Sequence, residues 1–384
     1  MELTKCKLGE LITQRREKND GSDLPICGVS KDGLIPPKQK DADTSIYNVF
    51  YRDDFIFNPA RMELNSIAIN DMYDRAICSS LYEVFYVHRT DLLLPHYLEL
   101  IIRQKWFTRY CKFLGQGSAR EYCRFGNISE IEIEFPPIEE QQKIVEYNTA
   151  IENRIALKQK INDNLVAVGT ASIQKNVGRG ALINLTEAEM DSLIFPEDFK
   201  IKTVSEFCAE TKSGSTPSRT NNEYWENGTI SWVKSGEVHN NITLQTEEYI
   251  TSLGLSESST KLLPKDTVLM AMYGVTAGEV GYLAIEATTN QAICGMICRS
   301  KAEAAYLYFS LIQSQAAISR LSNGGAQDNL SKNFIDNIKI VVPPSEFIEK
   351  LNLAAIVEQM TLNTKEITLL EELQATVLAQ LSSR

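Results

Sequence analysis

The stretch FLGQGSAREYCRFGNISEIEIEFPP (113–137) decides the fold, because it returns later in the chain as RLSNGGAQDNLSKNFIDNIKIVVPP (320–344). At a constant offset, glycine, alanine and isoleucine positions coincide, and both copies end in two prolines. The first copy ends as an alternating strand, with Ile131, Ile133 and Phe135 on one side and three glutamates on the other. The double proline ends the strand, because proline cannot donate a hydrogen bond to a ladder.

The two copies also begin alike, since LGELI (8–12) resembles VSEFC (204–208). Similarity at both ends, in the same order, predicts two homologous globular units. We place the domain limits where the repeat and the helical stretches end. The expected parts are a first unit, a central helical spacer, a second unit and a C-terminal helical spacer, at 1–137, 138–185, 186–344 and 345–384.

A charged helical stretch follows each double proline. In the C-terminal stretch, candidate seam residues recur at alternating steps of three and four, the spacing of a coiled coil. The members of this seam are Leu353, Ile356, Met360, Asn363, Ile367, Leu370, Gln374, Val377 and Leu381. The central stretch carries a weaker seam that Lys158 interrupts, made of Ile144, Ile151, Ile155, Ile161, Leu165 and Val168.

Two seams at equivalent places in a duplicated chain predict that the two helices pair with each other as an antiparallel coiled coil. The fold class is therefore α+β, with two mixed α/β domains related by an internal repeat and joined by two long helices. The alternative is two separate amphipathic helices, each lying on its own domain. A helix of roughly 35 residues spans about 50 Å, so a paired rod would separate two recognition sites or scaffold two proteins equally well.

The composition is that of a globular chain with several cores. The 384 residues are 43% hydrophobic and 23% charged, which predicts two or three domains and excludes a disordered or fibrous class. The N-terminus lacks the apolar core of a signal peptide, and charges interrupt every apolar run before a membrane-spanning length. We therefore expect no membrane segment and a cytoplasmic protein.

The net charge of −11 argues against a protein that binds DNA by bulk electrostatics. The charge is unevenly distributed, at −2 for 1–137, +1 for 138–185, −7 for 186–344 and −3 for 345–384. The total also hides a local basic cluster. Between 103 and 125, six cations face one acid and alternate with aromatic residues.

Motifs of catalysis and metal binding are weak or missing in the sequence. The eight cysteines form no CxxC pair, and the closest two, Cys294 and Cys298, are interpreted as small core residues without disulfides. Three histidines without an HExxH helix make a zinc site improbable. No GxxxxGK[ST] loop is present, and the glycines of GVTAGEVG (274–281) are expected to serve a hairpin between two strands or a close backbone approach. NPAR (58–61) only faintly resembles the motif of DNA amino-methyltransferases, which disfavours an autonomous methyltransferase.

The basic cluster has two interpretations. Cations neutralise phosphates and arginine can read guanine, while aromatic residues pack or stack, which together indicate a nucleic-acid surface. An amphipathic helix with solvated lysines and arginines explains the same composition equally well. The second unit carries a sparser polar set at 320–332. Trp225 and Trp232 are expected to be core anchors rather than base-stacking residues.

Taken in order, several motifs resemble the specificity (S) subunit of Type I restriction–modification systems. They are FPPIEEQQKIVE (135–146) with its looser copy VPPSEFIEKLNLAAIVEQ (342–359), SGSTPSRTNNEYWENGTISWVKSGEV (213–238), YGVTAGEVG (273–281) and NVFYRDDFIFNPARMELNSIAI (48–69). The resemblance covers essentially the whole chain. It makes the two units target-recognition domains 1 and 2.

The resemblance implies a non-catalytic, sequence-specific DNA reader. Each domain would read one half of a bipartite target in double-stranded DNA, and the paired helices would fix the gap. The helices would also dock two methyltransferase subunits, and restriction/translocase subunits would complete the assembly. S-adenosylmethionine, ATP and Mg would belong to those partner subunits, with no cofactor in this chain.

Residues with a physical role in DNA contact are proposed for each unit. In the first unit they are Asn58, Arg61, Arg103, Arg109, Lys112, Arg120 and Arg124. In the second they are Ser213, Ser215, Thr216, Arg219, Lys234, Tyr273, Arg320, Asn323 and Asn329. Because the units differ between their shared ends, two different half-sites are expected.

Two features of the sequence fit a typical S subunit less well, and one alternative function stays open. The second junction, PSEF (344–347), lacks the Glu-Glu-Gln that follows the first double proline, so its docking is expected to be less typical. The charge of the second unit suggests modest DNA affinity for the isolated chain. The alternative function is a duplicated coiled-coil adaptor that holds proteins together without binding DNA.

Overall fold

A computed structural model describes residues 3–31, 33–37, 43–115, 122–183, 185, 189, 193–239, 242–322 and 329–382. The chain divides into two compact units. Unit 1 comprises Met1–Arg154 with Leu370–Arg384, and unit 2 comprises Ile155–Leu369. Each unit mixes strands and helices, as the α+β prediction requires. Among the described residues, no helix is both long and apolar enough to cross a membrane.

Unit 1 contains ten strands and three short α-helices within its described residues, followed by the start of a long helix. The strands are β1 (Thr4–Lys7), β2 (Ile12–Arg15), β3 (Ile26–Ser30), β4 (Gly33–Ile35), β5 (Asn48–Tyr51), β6 (Phe55–Phe57), β7 (Ile67–Ile69), β8 (Arg75–Cys78), β9 (Glu83–Val87) and β10 (Glu132–Phe135). The helices are α1 (Pro95–Ile102), α2 (Lys105–Gly115), α3 (Phe125–Ser129) and α4 (Ile138–Asn176). The strands form sheets of order β1-β10, β2-β9-β6-β7 and β4-β3-β8-β5.

Unit 2 repeats this plan with different middle elements. Its strands are β11 (Ala181–Leu182), β12 (Lys200–Thr203), β13 (Glu210–Ser213), β14 (Ile230–Val233), β15 (Ile242–Thr243), β16 (Glu248–Ile250), β17 (Thr267–Ala271), β18 (Val280–Leu283), β19 (Thr288–Thr289), β20 (Ile293–Ile297) and β21 (Lys339–Val342). Its helices are α5 (Val204–Phe207), α6 (Ser252–Ser256), α7 (Lys301–Ser322), α8 (Lys332–Asp336), α9 (Ser345–Lys350) and the first part of α10 (Leu353–Ser382), which continues into unit 1 from Leu370. The sheets have the order β11-β21-β12, β13-β20-β17-β18-β15 and β16-β14-β19.

The two ends of each repeat meet in one antiparallel ladder. In unit 1 the register pairs Thr4 with Phe135, and in unit 2 the equivalent register pairs Lys200 with Val342. A backbone bond of 2.9 Å, from Leu8 N to Ile131 O, closes the first ladder, and the equivalent bond in unit 2 has the same length. The repeat is therefore confirmed in the structure, and its ends resemble each other because they build the same ladder.

Alternation along the closing strands sets their buried faces. In β10 the glutamates are exposed, while Ile133 and Phe135 are buried in a core with Leu8 and Phe107. In unit 2 Ile340 is buried in a larger core that continues into α7 and the neighbouring parts of α4 and α10. The predicted hairpin around GVTAGEVG is confirmed, since β17 and β18 pair antiparallel on either side of it. All eight cysteines are free.

Within unit 2, α4 lies against α10 through a partly polar seam. Lys158 Nζ lies 2.7 Å from Glu366 Oε2 and 3.2 Å from Asn363 Oδ1. The Asn363 side-chain amide donates to Asn162 Oδ1 at 2.8 Å. Because the lower-numbered residue of α4 meets the higher-numbered residue of α10, the contacts run antiparallel.

The structure corrects the predicted central seam at two positions. Val168 is 55% exposed, and the neighbouring Gly169 is buried in its place. There is no room for a side chain at Gly169, because an added Cβ would lie 2.3 Å from the ring of Phe309. Lys158, which the sequence pattern treats as an interruption, is a seam residue because its ammonium group finds a carboxylate on the facing helix.

Within unit 1, the remaining parts of the same helices also touch. The Gln374 amide donates to Asn148 Oδ1 at 3.0 Å and to Glu152 Oε1 at 3.1 Å.

In α10, Leu353 and Met360 are buried and Ile367, Leu370 and Val377 are half-buried, as the seam spacing predicts. The Leu381 side chain lies outside the part of the chain that the structure describes. The C-terminal helical stretch is interrupted at Asn352, whose left-handed backbone (φ 54°) separates α9 from α10.

Candidate nucleic-acid interface

Helix α2 separates its apolar residues from its cations. Phe107 and Cys111 are fully buried, whereas Arg109 and Lys112 are exposed. Tyr110 and Phe113 are also exposed, and their rings stack with centroids 6.2 Å apart. No acid pairs with Arg109 or Lys112 among the residues that the structure describes. The helix is thus amphipathic, and its outer face presents two cations beside two aromatic rings.

The turn at Asn58 lies next to this helix. Asn58 caps the short 3-10 helix Pro59–Leu64, and its Oδ1 accepts from Ala60 N at 3.1 Å. This turn packs against α2 and accepts a backbone hydrogen bond of 3.0 Å from Cys123 to Pro59. Arg61 is exposed and, with Asn58, lines a cleft of about 600 Å³. The structure therefore brings the predicted turn and the predicted basic helix together.

Two further arginines of unit 1 are engaged within it. Arg103 donates to Lys31 O at 2.5 Å and to Glu99 Oε1 at 3.2 Å, so its guanidinium group is held by the protein. Arg124 is 67% exposed, lies 3.5 Å from Glu83 and stacks over Tyr122 at 5.5 Å. Arg120 lies outside the described residues.

In unit 2 the predicted cations share acidic partners. The Arg219 guanidinium group lies 3.6 Å from the ring centre of Trp225 and 4.8 Å from that of Trp232, and it forms an ion pair with Glu248. Lys234 Nζ lies 3.3 Å from the same Glu248. The hydrogen bond from Arg219 lowers the pKa of Glu248, which stays ionised and neutralises part of the positive charge.

The two tryptophans differ in burial. Trp232 is buried, as predicted for a core anchor, and its indole donates to Ser215 O at 3.0 Å. Trp225 is only half-buried and forms a T-shaped pair with Trp232 at 5.0 Å. The prediction that Trp225 is a core anchor is therefore only partly confirmed, because one face of its ring contacts the Arg219 guanidinium group rather than the core.

The hydroxyl groups of the predicted polar loop mostly form hydrogen bonds with other residues of unit 2. Ser215 Oγ accepts from Ser259 Oγ at 2.8 Å, and Thr216 Oγ1 donates to Gln291 Oε1 at 2.5 Å. Ser213 is the last residue of β13 and pairs in register with Cys294. These bonds fix the loop, so a ligand would meet a shaped surface rather than free hydroxyl groups.

A second polar group gathers at the β17–β18 hairpin. Tyr273 and Asn329 form an isolated antiparallel bridge, and both are exposed. Arg320 is exposed in the last turn of α7, and its neighbour Ser319 lies against Gly278 of the hairpin. Asn323 lies outside the described residues. The sequence reasoning overlooked the tip residue Val275, which is fully exposed, because a lone valine in a glycine-rich turn carries no recognisable pattern.

The candidate surfaces expose charged, polar and aromatic groups. In the described part of the chain, no group of three His, Cys, Asp or Glu side chains can hold a metal ion. What the two units present is a set of exposed cations, amides and aromatic rings on rigid elements. Such groups can neutralise phosphates and contact base edges.

Comparison with known proteins defines the class. The family model described as Type I restriction modification DNA specificity domain matches residues 9–167 and again residues 196–375. The chain therefore belongs to this family, whose members are non-catalytic DNA-recognition subunits of Type I restriction systems. The two matched regions correspond to the two copies of the repeat.

Individual relatives are distant. The chain is similar to the Type I restriction enzyme HindI specificity subunit of Haemophilus influenzae, with 22% identity over 357 residues that cover 76% of this chain and 77% of the relative. It is also similar to the MjaIX specificity subunit of Methanocaldococcus jannaschii, with 20% identity over 304 residues, covering 76% and 69%. The solved structure of the S subunit of a Type I restriction–modification system from M. genitalium shares the fold, with a TM-score of 0.59, 15% identity and coverage of 99% and 96%.

Proposed function

We propose that the chain reads a bipartite DNA sequence, with one half-site for each unit, and thereby directs methylation by partner subunits. The observation that carries this proposal is the double match to the specificity domain, because each match contains one copy of the repeat. The middle elements of the two units differ, which supports two different half-sites. The predicted domain limits, at 137, 185 and 344, belong to the same proposal.

The long helices would set the distance between the half-sites. Support comes from the antiparallel contacts between α4 and α10, which occur within each unit separately. We propose that they form one coiled coil that also docks two methyltransferase subunits, with restriction/translocase subunits completing the complex. S-adenosylmethionine, ATP and Mg would be bound by those partners, and the complex would act in the cytoplasm.

A methylome comparison tests this function directly. We expect cells with the gene to carry adenine methylation at one split motif with a fixed gap, and cells without it to lose that motif alone. The measurement is long-read sequencing of genomic DNA from both strains, with expression of the protein and its methyltransferase verified. An unchanged methylome would favour the adaptor that holds proteins together without reading DNA.

Charge removal on α2 should weaken DNA binding without changing the sequence preference. Replacing Arg109 and Lys112 with alanine removes two exposed cations, so the negative slope of log K against log salt concentration should become shallower by about 2 in the assembled complex. Titrations at several salt concentrations measure the slope. The control is Arg89→Ala, because Arg89 is already paired with Asp91 at 2.8 Å and should leave the slope unchanged.

An equal effect of the Arg89 variant would mean that net charge, rather than the α2 surface, determines the binding. A normal slope in the double variant would remove α2 from the proposed interface. Arg61 and Arg124 then become the remaining exposed arginines of the predicted set in the described part of unit 1.

A further inference from the structure

The tip of the β17–β18 hairpin is a rigid projection with a single apolar side chain. Val275 is fully exposed (104%), whereas the next two residues, Thr276 and Ala277, are buried. Gly274 and Gly278 bracket the tip with positive φ values of 73° and 88°, a backbone conformation that glycine adopts without strain. The backbone therefore turns sharply at each glycine, and the Val275 side chain projects into solvent between the two turns.

Backbone hydrogen bonds hold this tip in place. Gly278 N donates to Ala271 O at 2.8 Å, and Ala277 N donates to Gly274 O at 3.1 Å. The hairpin is also backed by α7, because Gly278 lies so close to Ser319 that a Cβ would approach its Oγ to 2.7 Å. A rigid tip loses little conformational entropy on binding, which suits a residue that contacts a ligand.

The side chains around the tip fit DNA. Tyr273 and Asn329 are exposed beside it, and Arg320 is exposed in the last turn of the helix behind it. No acid pairs with Arg320 among the described residues. Glu279 is the nearby acid on the hairpin, and its carboxylate lies 2.8 Å from His239 Nδ1. A cation, an amide and a phenol around one methyl-bearing residue form a mixed phosphate and base-edge surface.

We propose that Val275 contacts the 5-methyl group of a thymine in the major groove of the half-site read by unit 2, which rests on the proposed function. The major groove of B-DNA admits a two-stranded β-ribbon, and the thymine methyl is its apolar feature. Valine is short and β-branched, which suits contact with a methyl group better than wedging between base pairs, where longer side chains are used.

The test uses the assembled complex and the split motif that the methylome supplies. Each thymine of the unit 2 half-site is replaced in turn by uracil, which removes only the methyl group. The wild-type complex should lose about tenfold in affinity at one of these positions. In the complex with Val275→Ser, which removes both methyl groups and leaves a hydroxyl, the same uracil should cause no further loss of affinity.

The control is Ile194→Ser, because Ile194 is an aliphatic residue of the same unit with similar exposure (97%). It should keep the full uracil penalty. Equal uracil penalties in the wild type and the Val275 variant, or no sensitive thymine in the half-site, would overturn the inference while leaving the function intact. Failure of the wild-type complex to methylate any split motif would instead refute the proposed function.

Discussion

Replacing Gln141 with leucine is expected to lower the free energy of unfolding of unit 1 by about 3 kcal/mol. Gln141 is fully buried at the start of α4, where its side chain satisfies three backbone groups. Its Nε2 donates to Leu92 O and Pro136 O, both at 2.8 Å, and its Oε1 accepts from Leu94 N at 2.9 Å. Leucine fills the space but leaves these groups unpaired, at about 1 kcal/mol or more each.

Urea denaturation of the full chain, followed by signals from unit 1, measures this loss. The matched control is Gln142→Leu, since Gln142 is exposed and its side-chain amide donates to Glu146 Oε1 on its own helix at 2.9 Å. We expect that variant to stay within about 0.5 kcal/mol of the wild type. Hydrogen exchange at the Leu94 amide should quicken in the first variant alone, and equal losses in both variants would contradict the role of Gln141.

The same residue explains the difference between the two Pro-Pro junctions. At the repeat offset Gln141 corresponds to Ile348, which is buried in the core of unit 2. In the first junction the buried Gln141 forms hydrogen bonds with the backbone of Leu92 and Leu94. In the second junction the buried Ile348 only fills apolar space. The missing glutamine of the second junction is thus a difference in internal packing, so it does not by itself indicate atypical docking.

The sequence predicts the repeated framework well, because short local sequence patterns determine its strands and their ends. Period-two alternation identifies β10, and the double proline identifies its end. The resemblance of 8–12 to 204–208 follows from the ladder that each opening segment forms with the end of its own unit. The hairpin at 274–278 was predictable because glycine-rich turns between apolar strands have a local signature.

The polar contacts were not predictable, because they join residues far apart in the chain. Lys158 interrupts the apolar spacing of α4, and only the facing Glu366 explains its place in the seam. Similarly, the sequence around Arg219 and Lys234 carries no sign that both reach Glu248. Local patterns identify the exposed face of α2, whereas the neutralisation of the unit 2 cations depends on the folded chain.

The amide pair between α4 and α10 should behave as a unit. We expect Asn363→Leu to destabilise unit 2 by about 2 kcal/mol, because Asn162 Oδ1 loses its hydrogen-bond donor and Lys158 Nζ loses one partner. Asn363 is 1% exposed, so the substituted leucine occupies a buried position. The control is Lys365→Leu on the exposed face of the same helix, which should change stability by less than about 0.5 kcal/mol.

Leucine at both Asn162 and Asn363 should restore most of the lost stability, because two apolar residues of similar volume replace the hydrogen-bonded pair. A double-mutant cycle by urea denaturation would then give a coupling of about 2 kcal/mol between the two positions. Additive losses would mean that the amides act separately. Because a polar pair in an apolar seam fixes the register of two helices, the double variant should be stable and yet methylate the split motif less than the wild type. Stability and methylation that both return to wild-type levels would show that the pair does not set the register.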